Sequence, residues 1–200
     1  AVVFGKGPGS FTGLRTACSV AQGLAFGANV PVLPIDTLLA VAEEARFQNA
    51  QQHTQNSTQH PEDVQRFFVA MDARMDQVYT AAYECKSEWQ SQKQVTWQCV
   101  QAPSVNSPED ICVPAEWNDR EFTTVGNAWQ AFATRWPAAL SRTHMYVMPT
   151  AQALLRLAPV AFEQGLAVSP EDALPIYIRD KVAQTTQERE QIKLATTIST

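Results

Sequence analysis

The chain predicts an α/β fold with mixed sheets, and three observations carry that prediction. Ala1-Val2-Val3-Phe4 is a short apolar, β-branched run ending at Gly5, and from Phe11 onward small and apolar residues recur at helical spacing. Phe67 to Met71 and Val78 to Cys85 are two apolar runs with the polar stretch Asp72 to Gln77 between them, which is the pattern of a hairpin. Phe122 to Gly126 then enters a helix from about Asn127 to Arg135, a second strand-to-helix step.

The first step is the most informative stretch. Gly7-Pro8-Gly9-Ser10-Phe11-Thr12-Gly13-Leu14-Arg15 places a glycine-rich turn between a strand and a helix start, and Ser10 stands where its hydroxyl can cap the helix. Free N–H groups and the positive end of the helix dipole make Gly7, Gly9, Ser10, Thr12 and Gly13 a candidate phosphate-binding turn. Stricter motifs do not fit. No Gly-Lys-Ser/Thr follows at P-loop spacing, and the dinucleotide fingerprint fails because Gly13 falls one residue too late after Gly9. On these residues alone, a turn that only lets strand and helix pack closely explains the glycines equally well.

Along the following helix Phe11, Leu14, Cys18, Ala21 and Ala25 form an apolar stripe, while Arg15, Ser19 and Gln22 mark another face. Ala17, Cys18, Ala21 and Ala25 are small enough for a second helix to approach, and Gly27 with Asn29 ends the segment. Val30 to Ile35 reads as a strand with Pro31 and Pro34 at its margins, and Asp36 or Thr37 caps a helix through about Phe47. Gln48 to Asp63 is polar and reads as a solvated insertion loop. Beyond the hairpin, Gln94 to Gln101 continues the sheet and Ser107 to Cys112 reads as a short helix capped by Ser107. Thr150 to Gln164 is helical in period, with Pro159 expected to kink or divide it, and residues 181–200 read as a mobile tail.

Composition narrows the function. A net charge of −5 and a pI near 5.2 argue against this chain gripping nucleic acid by itself. With no apolar run of membrane-spanning length and no signal-type start, a cytoplasmic protein with no membrane association is expected. Cys18, Cys85, Cys99 and Cys112 contain no Cys-x-x-Cys and read as reduced core thiols. His53, His60 and His144 lack ligand spacing, so no metal site is expected. Ser10 is not in a Gly-x-Ser-x-Gly elbow and no paired helical histidines occur, so no hydrolase machinery and no catalytic residue is assigned.

GPGSFTGLR followed by AQGLAFGANVPVLPIDTLLAVAEEA resembles the small actin-like, non-catalytic subunit family of the bacterial machinery that makes threonylcarbamoyladenosine in tRNA, long labelled glycoprotease-like. Asp72-Ala73-Arg74-Met75-Asp76-Gln77-Val78-Tyr79, Val125-Gly126-Asn127-Ala128-Trp129 and Leu174-Pro175-Ile176-Tyr177-Ile178-Arg179 are similar to later blocks of that family, in the family's order. The opening hairpin with an Ile-Asp-Thr-Ser type motif and the first long helix of the family have no counterpart here, so the chain reads as N-terminally shortened.

The resemblance implies actin-like (ribonuclease H-like) lobes with an incomplete first lobe: residues 1–55 as its remainder, 62–180 as the second lobe, 181–200 as the tail. It implies a partner that activates a catalytic paralogue transferring threonylcarbamoyl to N6 of an adenosine beside the anticodon. The interface would comprise Ser10, Phe11, Leu14, Arg15, Cys18 and Gln22. A small P-loop ATPase subunit is a further expected partner, and a homodimer through the Ser10 to Gly27 helix is an alternative pairing. Contact with tRNA is expected only indirectly. No cofactor of its own is expected, with ATP or ADP and magnesium entering at the level of the complex. The alternative is an autonomous actin-like nucleotide-binding phosphotransferase or ATPase in which Asp72, weighed with Asp76, orients metal-bound phosphate. Against that stands a plain structural role, Asp72 closing the turn and Arg74 forming a surface ion pair.

Overall fold

The computed structural model of the chain describes residues 1–53, 64–87, 95–137, 140 and 144–179. β1 (Val2–Gly7) and β2 (Val32–Asp36) pair in parallel, with Val2 opposite Val32 and Phe4 opposite Pro34, and α1 (Phe11–Ala28) supplies the crossover that a parallel pair needs. Ser10 Oγ caps α1 by accepting from the Gly13 N–H, and Asn29 ends it in the left-handed conformation. Strand alternation then assigns the two faces of this sheet. Phe4 and Val32 meet Cys18, Ala21 and Ala25 of α1, whereas Leu33 and Ile35 meet Ala153 and Leu157 of α4 (Ala151–Glu163).

α2 (Thr37–His53) starts where β2 ends, because Asp36 Oδ1 accepts from the N–H groups of Leu38 and Leu39 at 2.7 and 3.2 Å. Ala40 through Ala45 are all buried, so this helix is covered on every side instead of carrying a single apolar stripe. Ala40 packs with β2 and α4; Leu38, Val41, Ala42 and Ala45 pack on a second, larger sheet.

That sheet comprises β3 (Gln65–Arg74), β4 (Gln77–Ser87), β5 (Val95–Asn106), β6 (Thr123–Val125) and β7 (His144–Met145), in the order β5-β4-β3-β6-β7. β3, β4 and β5 are antiparallel neighbours, while β6 and β7 join β3 in parallel, so the sheet is mixed. Phe67 and Val69 face α2; Phe68 and Ala70 face the opposite core of Trp117, Ala128, Trp136 and Leu140.

Several sequence expectations are corrected. The polar segment after Phe47 continues α2 through His53, because glutamine and alanine favour a helix already anchored by its buried half; the rest of the Gln48 to Asp63 stretch, residues 54–63, lies outside the described residues. Ser107 to Cys112 holds only a 3₁₀ turn at Pro108–Asp110, with no side-chain cap from Ser107. α3 (Ala128–Phe132) stops early and passes into a 3₁₀ turn at Ala133–Arg135. Pro159 does not divide α4: Leu155, whose carbonyl loses its helical donor, lies on the exposed side with Pro159, where water can serve it. Cys18 and Cys85 are buried thiols, but Cys99 and Cys112 are exposed. Residues 151–179, grouped by sequence with the second lobe, return to pack on β1, β2 and α2. The 181–200 stretch lies outside the described residues.

A buried ionic cluster ties α2 to α4. Glu43, only 2% exposed, accepts from Nε and Nη2 of Arg46 and from Nε of Arg156, each at 2.8 Å. Glu44 accepts from Gln48, from Arg156 Nη2 and from the hydroxyl of Thr150, the residue that also caps α4. Burial alone pushes the Glu44 carboxyl up, yet hydrogen bonds from Gln48, Arg156 and Thr150 outweigh it and hold the group below the ordinary glutamate value. Stability from a depressed carboxylate is present above the unfolded value of about 4.3 and is lost as pH falls through the lower folded value. Arg156→Met is therefore expected to cost about 2 kcal/mol at pH 7 and to flatten the loss of stability between neutral and acid pH. Urea unfolding of both proteins at pH 7 and pH 4 measures both effects.

Candidate functional site

The four sequence blocks, scattered along the chain, meet around one cleft of about 970 Å³. Its wall includes Gly9 and Ser10 from the turn, Asp72 and Met75 from the hairpin, Asn127 from the β6 to α3 step, and Tyr177 from the closing segment. The start of α1 thus opens toward the same space as the Asp72 hairpin.

The turn is held from two sides. Gly7 N–H donates to Thr37 Oγ1 at 3.0 Å, and Lys6 carbonyl accepts from the Ile176 N–H at 2.7 Å. Gly7 has φ +117, and a Cβ there would lie 2.6 Å from the Ile176 carbonyl oxygen, so glycine is required for both conformation and space. Gly9 and Gly13 have no such constraint, since an added Cβ would make only ordinary contacts with Leu14 and Ser10. Nearby, burial pushes the Asp36 carboxyl up, with the N–H groups of Leu39 and Leu38 opposing the shift.

The hairpin has an unusual tip. Arg74, Met75 and Asp76 are consecutive non-glycine residues with φ of 63, 52 and 60. Asp72 Oδ1 accepts from the Arg74 N–H at 2.8 Å and Oδ2 from Arg74 Nη1 at 3.2 Å, while the Asp72 N–H donates to Asn127 Oδ1 at 2.8 Å. Asp72 therefore closes the turn through backbone and ion pair. Asp76 takes a different partner, Arg135, which also binds Glu109, so the two carboxylates are engaged by different arginines. Among the described residues no group of three or more His, Cys, Asp or Glu side chains could hold a metal ion.

The α1 residues expected at a partner interface divide into two sets. Leu14 and Cys18 are buried in this chain, Cys18 Sγ and Gln22 Nε2 both donate to the Ala173 carbonyl, at 3.1 and 3.0 Å, and burial raises the Cys18 thiol. Leu14 and Cys18 stand on the apolar stripe that packs α1 on its own sheet, and Gln22, which the sequence sets on another face, is half-buried beside it because the Ala173 segment covers that flank. Ser10, Phe11 and Arg15 are exposed, with the Arg15 guanidinium 3.7 Å over the Phe11 ring and Arg15 Nε donating to the Tyr177 hydroxyl at 3.0 Å. Thr12 is exposed and its carbonyl accepts from Thr16 Oγ1.

Sequence reasoning missed the outermost face. Val20 and Leu24 are 55% and 60% exposed, and a Cβ built at Gly23 or Gly27 would meet nothing within 4 Å. Their spacing of three and four residues was the available signal. It also missed Thr37, Asn127 and Arg179 as the side chains that lock the turn and hairpin, contacts that local patterns do not encode.

The family model described as TsaD, tRNA N6-adenosine threonylcarbamoyltransferase, matches residues 1–187. The tRNA threonylcarbamoyladenosine biosynthesis protein TsaB of Escherichia coli K12 is 33% identical over 189 residues, which is 92% of this chain and 72% of that protein. Its namesake from Haemophilus influenzae is 35% identical over 185 residues, 91% of this chain and 71% of that protein. Two solved structures from Pseudomonas aeruginosa share the fold at 32% identity: one described as similar to peptidase YEAZ, with TM-score 0.71 over 88% of this chain and 72% of its own, and one named YeaZ, with TM-score 0.70 over 88% and 73%. The α/β architecture with its mixed sheet is accordingly the actin-like one. With matching motifs, architecture and relatives over nearly all of its length, the chain belongs to the TsaB/YeaZ family of tRNA threonylcarbamoyladenosine biosynthesis proteins.

Proposed function

We propose that the chain is a non-catalytic partner that docks on a TsaD-type paralogue and activates it for transfer of threonylcarbamoyl from its adenylate to N6 of an adenosine next to the anticodon. The observation that carries this reading is the outer face of α1, where Val20 and Leu24 stand exposed beside Gly23 and Gly27. A flat, small and apolar helix face gains free energy when a second helix covers it. The docking surface is thus Val20, Gly23, Leu24 and Gly27, in place of the inward Leu14, Cys18 and Gln22 and of Phe11 and Arg15, which stand on the opposite side of α1 against Tyr177.

The net charge of −5 favours leaving tRNA binding to the paralogue; in this reading nucleotide and magnesium enter with the assembled complex, together with a small P-loop ATPase. Among the described residues no helix is long and apolar enough to cross a membrane, in keeping with a cytoplasmic site of action.

Leu24→Glu is expected to weaken paralogue binding by about tenfold or more, while the unfolding free energy changes by less than about 0.5 kcal/mol because the side chain is exposed. Light scattering and titration of the two proteins, with a threonylcarbamoyl transfer assay, measure this. Equal affinity of the variant and parent chain would sink the reading. Self-association of the chain lost in Leu24→Glu, with no paralogue binding, would instead assign the face to a homodimer.

A second reading, an autonomous nucleotide-binding phosphotransferase or ATPase, draws support from one observation: the α1 start and Asp72 line the same cleft. Both Asp72 oxygens already bond Arg74, so calorimetry of the isolated chain with ATP and magnesium is expected to give no binding heat. Micromolar binding that disappears in Asp72→Asn would overturn the docking-only reading and favour this one.

A further inference from the structure

We propose that His144 is an acid-sensitive latch beneath α3: when it takes up a proton, the β6-to-α3 step loosens and releases the Asn127 contact that holds the Asp72 hairpin at the cleft. The latch is built on a ring stack. β7 carries His144 against Trp129 of α3, with centroids 3.9 Å apart and planes 11° from parallel, and Trp136 stands edge-on to both. Both imidazole nitrogens are shielded from water and make no hydrogen bond. The same holds for Trp136 Nε1 and for Oγ1 of Thr124, the residue opposite His144 in the sheet.

An imidazolium donates from both nitrogens and needs acceptors or water for them. The described residues that pair with His144, stack on it or line the pocket of about 210 Å³ beside it include no Asp, Glu, Lys or Arg. β3 presents Ala70, β6 presents Thr124, α3 presents Trp129 and Gln130, and Tyr146 is the one other titratable side chain of that lining. Arg135, next to Trp136 in the chain, is already bound to Asp76 and Glu109. Attraction of a cation to the Trp129 face offsets only part of the cost of burying it unpaired, so burial holds His144 below the ordinary histidine value. Admitting water removes that cost. The pocket offers the route, since its Gln130 and Tyr146 are exposed.

The element above the ring is easily released. α3 has five residues and no side-chain cap, because Asn127, at the cap position, gives its Oδ1 to the Asp72 N–H at 2.8 Å. Gly126, one residue earlier, donates its N–H to the carbonyl of Met145, the neighbour of His144. A helix this short has little stability of its own, so it depends on contacts such as the Trp129 stack. Charge and water under Trp129 therefore act on the few residues that tether Asp72, and Asp72 leads into the three successive residues of positive φ.

Proton uptake and amide exchange of the full chain, without any partner, test this. The His144 ring, followed by NMR, is expected to titrate with a midpoint below 6.5, and a midpoint at or above that value would overturn the proposal. With the folded value below the unfolded one, the stability of this region is complete above about pH 6.5 and is lost as pH falls toward the folded value. From pH 7.5 to 5.5, after correction for the intrinsic rate, exchange at residues 126–132 and at Asp72 is expected to speed about fivefold. The amides of α4 serve as the control and are expected to hold, since Glu44 stays ionised throughout. His144→Phe keeps a ring in the stack and takes no proton, so its response is expected to fall below about twofold. Asn127→Ala is expected to leave α3 responsive while the Asp72 amide exchanges fast at both pH values. An equal response in His144→Phe and parent, or an α3 response in the parent that Asp72 does not share, would sink the latch. The parent titration and exchange decide the matter alone should the variant not fold.

Discussion

The arrangement of the cleft depends on the close backbone approach between Gly7 and Ile176. A side chain at Gly7 would collide with the Ile176 carbonyl, and the neighbouring Lys6 carbonyl could not then accept from the Ile176 N–H. With that contact made, the closing segment is delivered alongside α1, Tyr177 meets Arg15, and Arg179 reaches the hairpin. The glycine-rich turn therefore has a mechanical role that is independent of any anion. The demand falls on Gly7, since Gly9 and Gly13 are uncrowded.

A second constraint fixes where the two sheets stand. α2 is buried through its first half and touches both sheets, so it cannot shift without disturbing either core. Its Glu43 and Glu44 bind Arg156, and Glu44 also binds the capping residue of α4, which adds directional bonds to an otherwise non-directional apolar contact. The long segment between β7 and residues 173–179 is thereby anchored before it reaches Gly7. Packing and charge act in series along the chain: α2 locates α4, α4 leads into residues 173–179, and these join the first sheet to the hairpin of the second.

What the sequence revealed follows from the range of each interaction. Ser10, Asn29 and Asp36 act within a few residues of themselves, and each caps or ends a helix as its side chain dictates. The apolar alternation of Phe67 to Met71 and Val78 to Cys85 was equally legible, because hairpin pairing is local. α1 was half legible. Its stripe from Leu14 to Ala25 packs inward as the periodicity says, but alanine and glycine also line the outer face, so residue size alone could not tell the face that packs from the face that docks. Contacts such as Arg179 to Ala73, separated by 106 residues, leave no local trace. The resemblance named those blocks without indicating that they touch.

The state of the charged groups around the cleft bears on what kind of function it suits. A residue that handles substrate must exchange its resting partner for a reacting one, at a cost that grows with the number of bonds it already makes. Asp72 is bonded through both oxygens, Asp76 and Glu109 share Arg135, and Arg179 spans two carbonyls and a thioether. These bonds fix a shape, and releasing any of them would loosen a hairpin whose backbone already stands in a sparsely populated conformation. The outer face of α1 has the opposite character: its Val20 and Leu24 side chains have no competing partner to give up, and covering them releases water from apolar surface. Free energy is therefore available at the helix face and already committed at the cleft, and this contrast is what supports the docking reading proposed above.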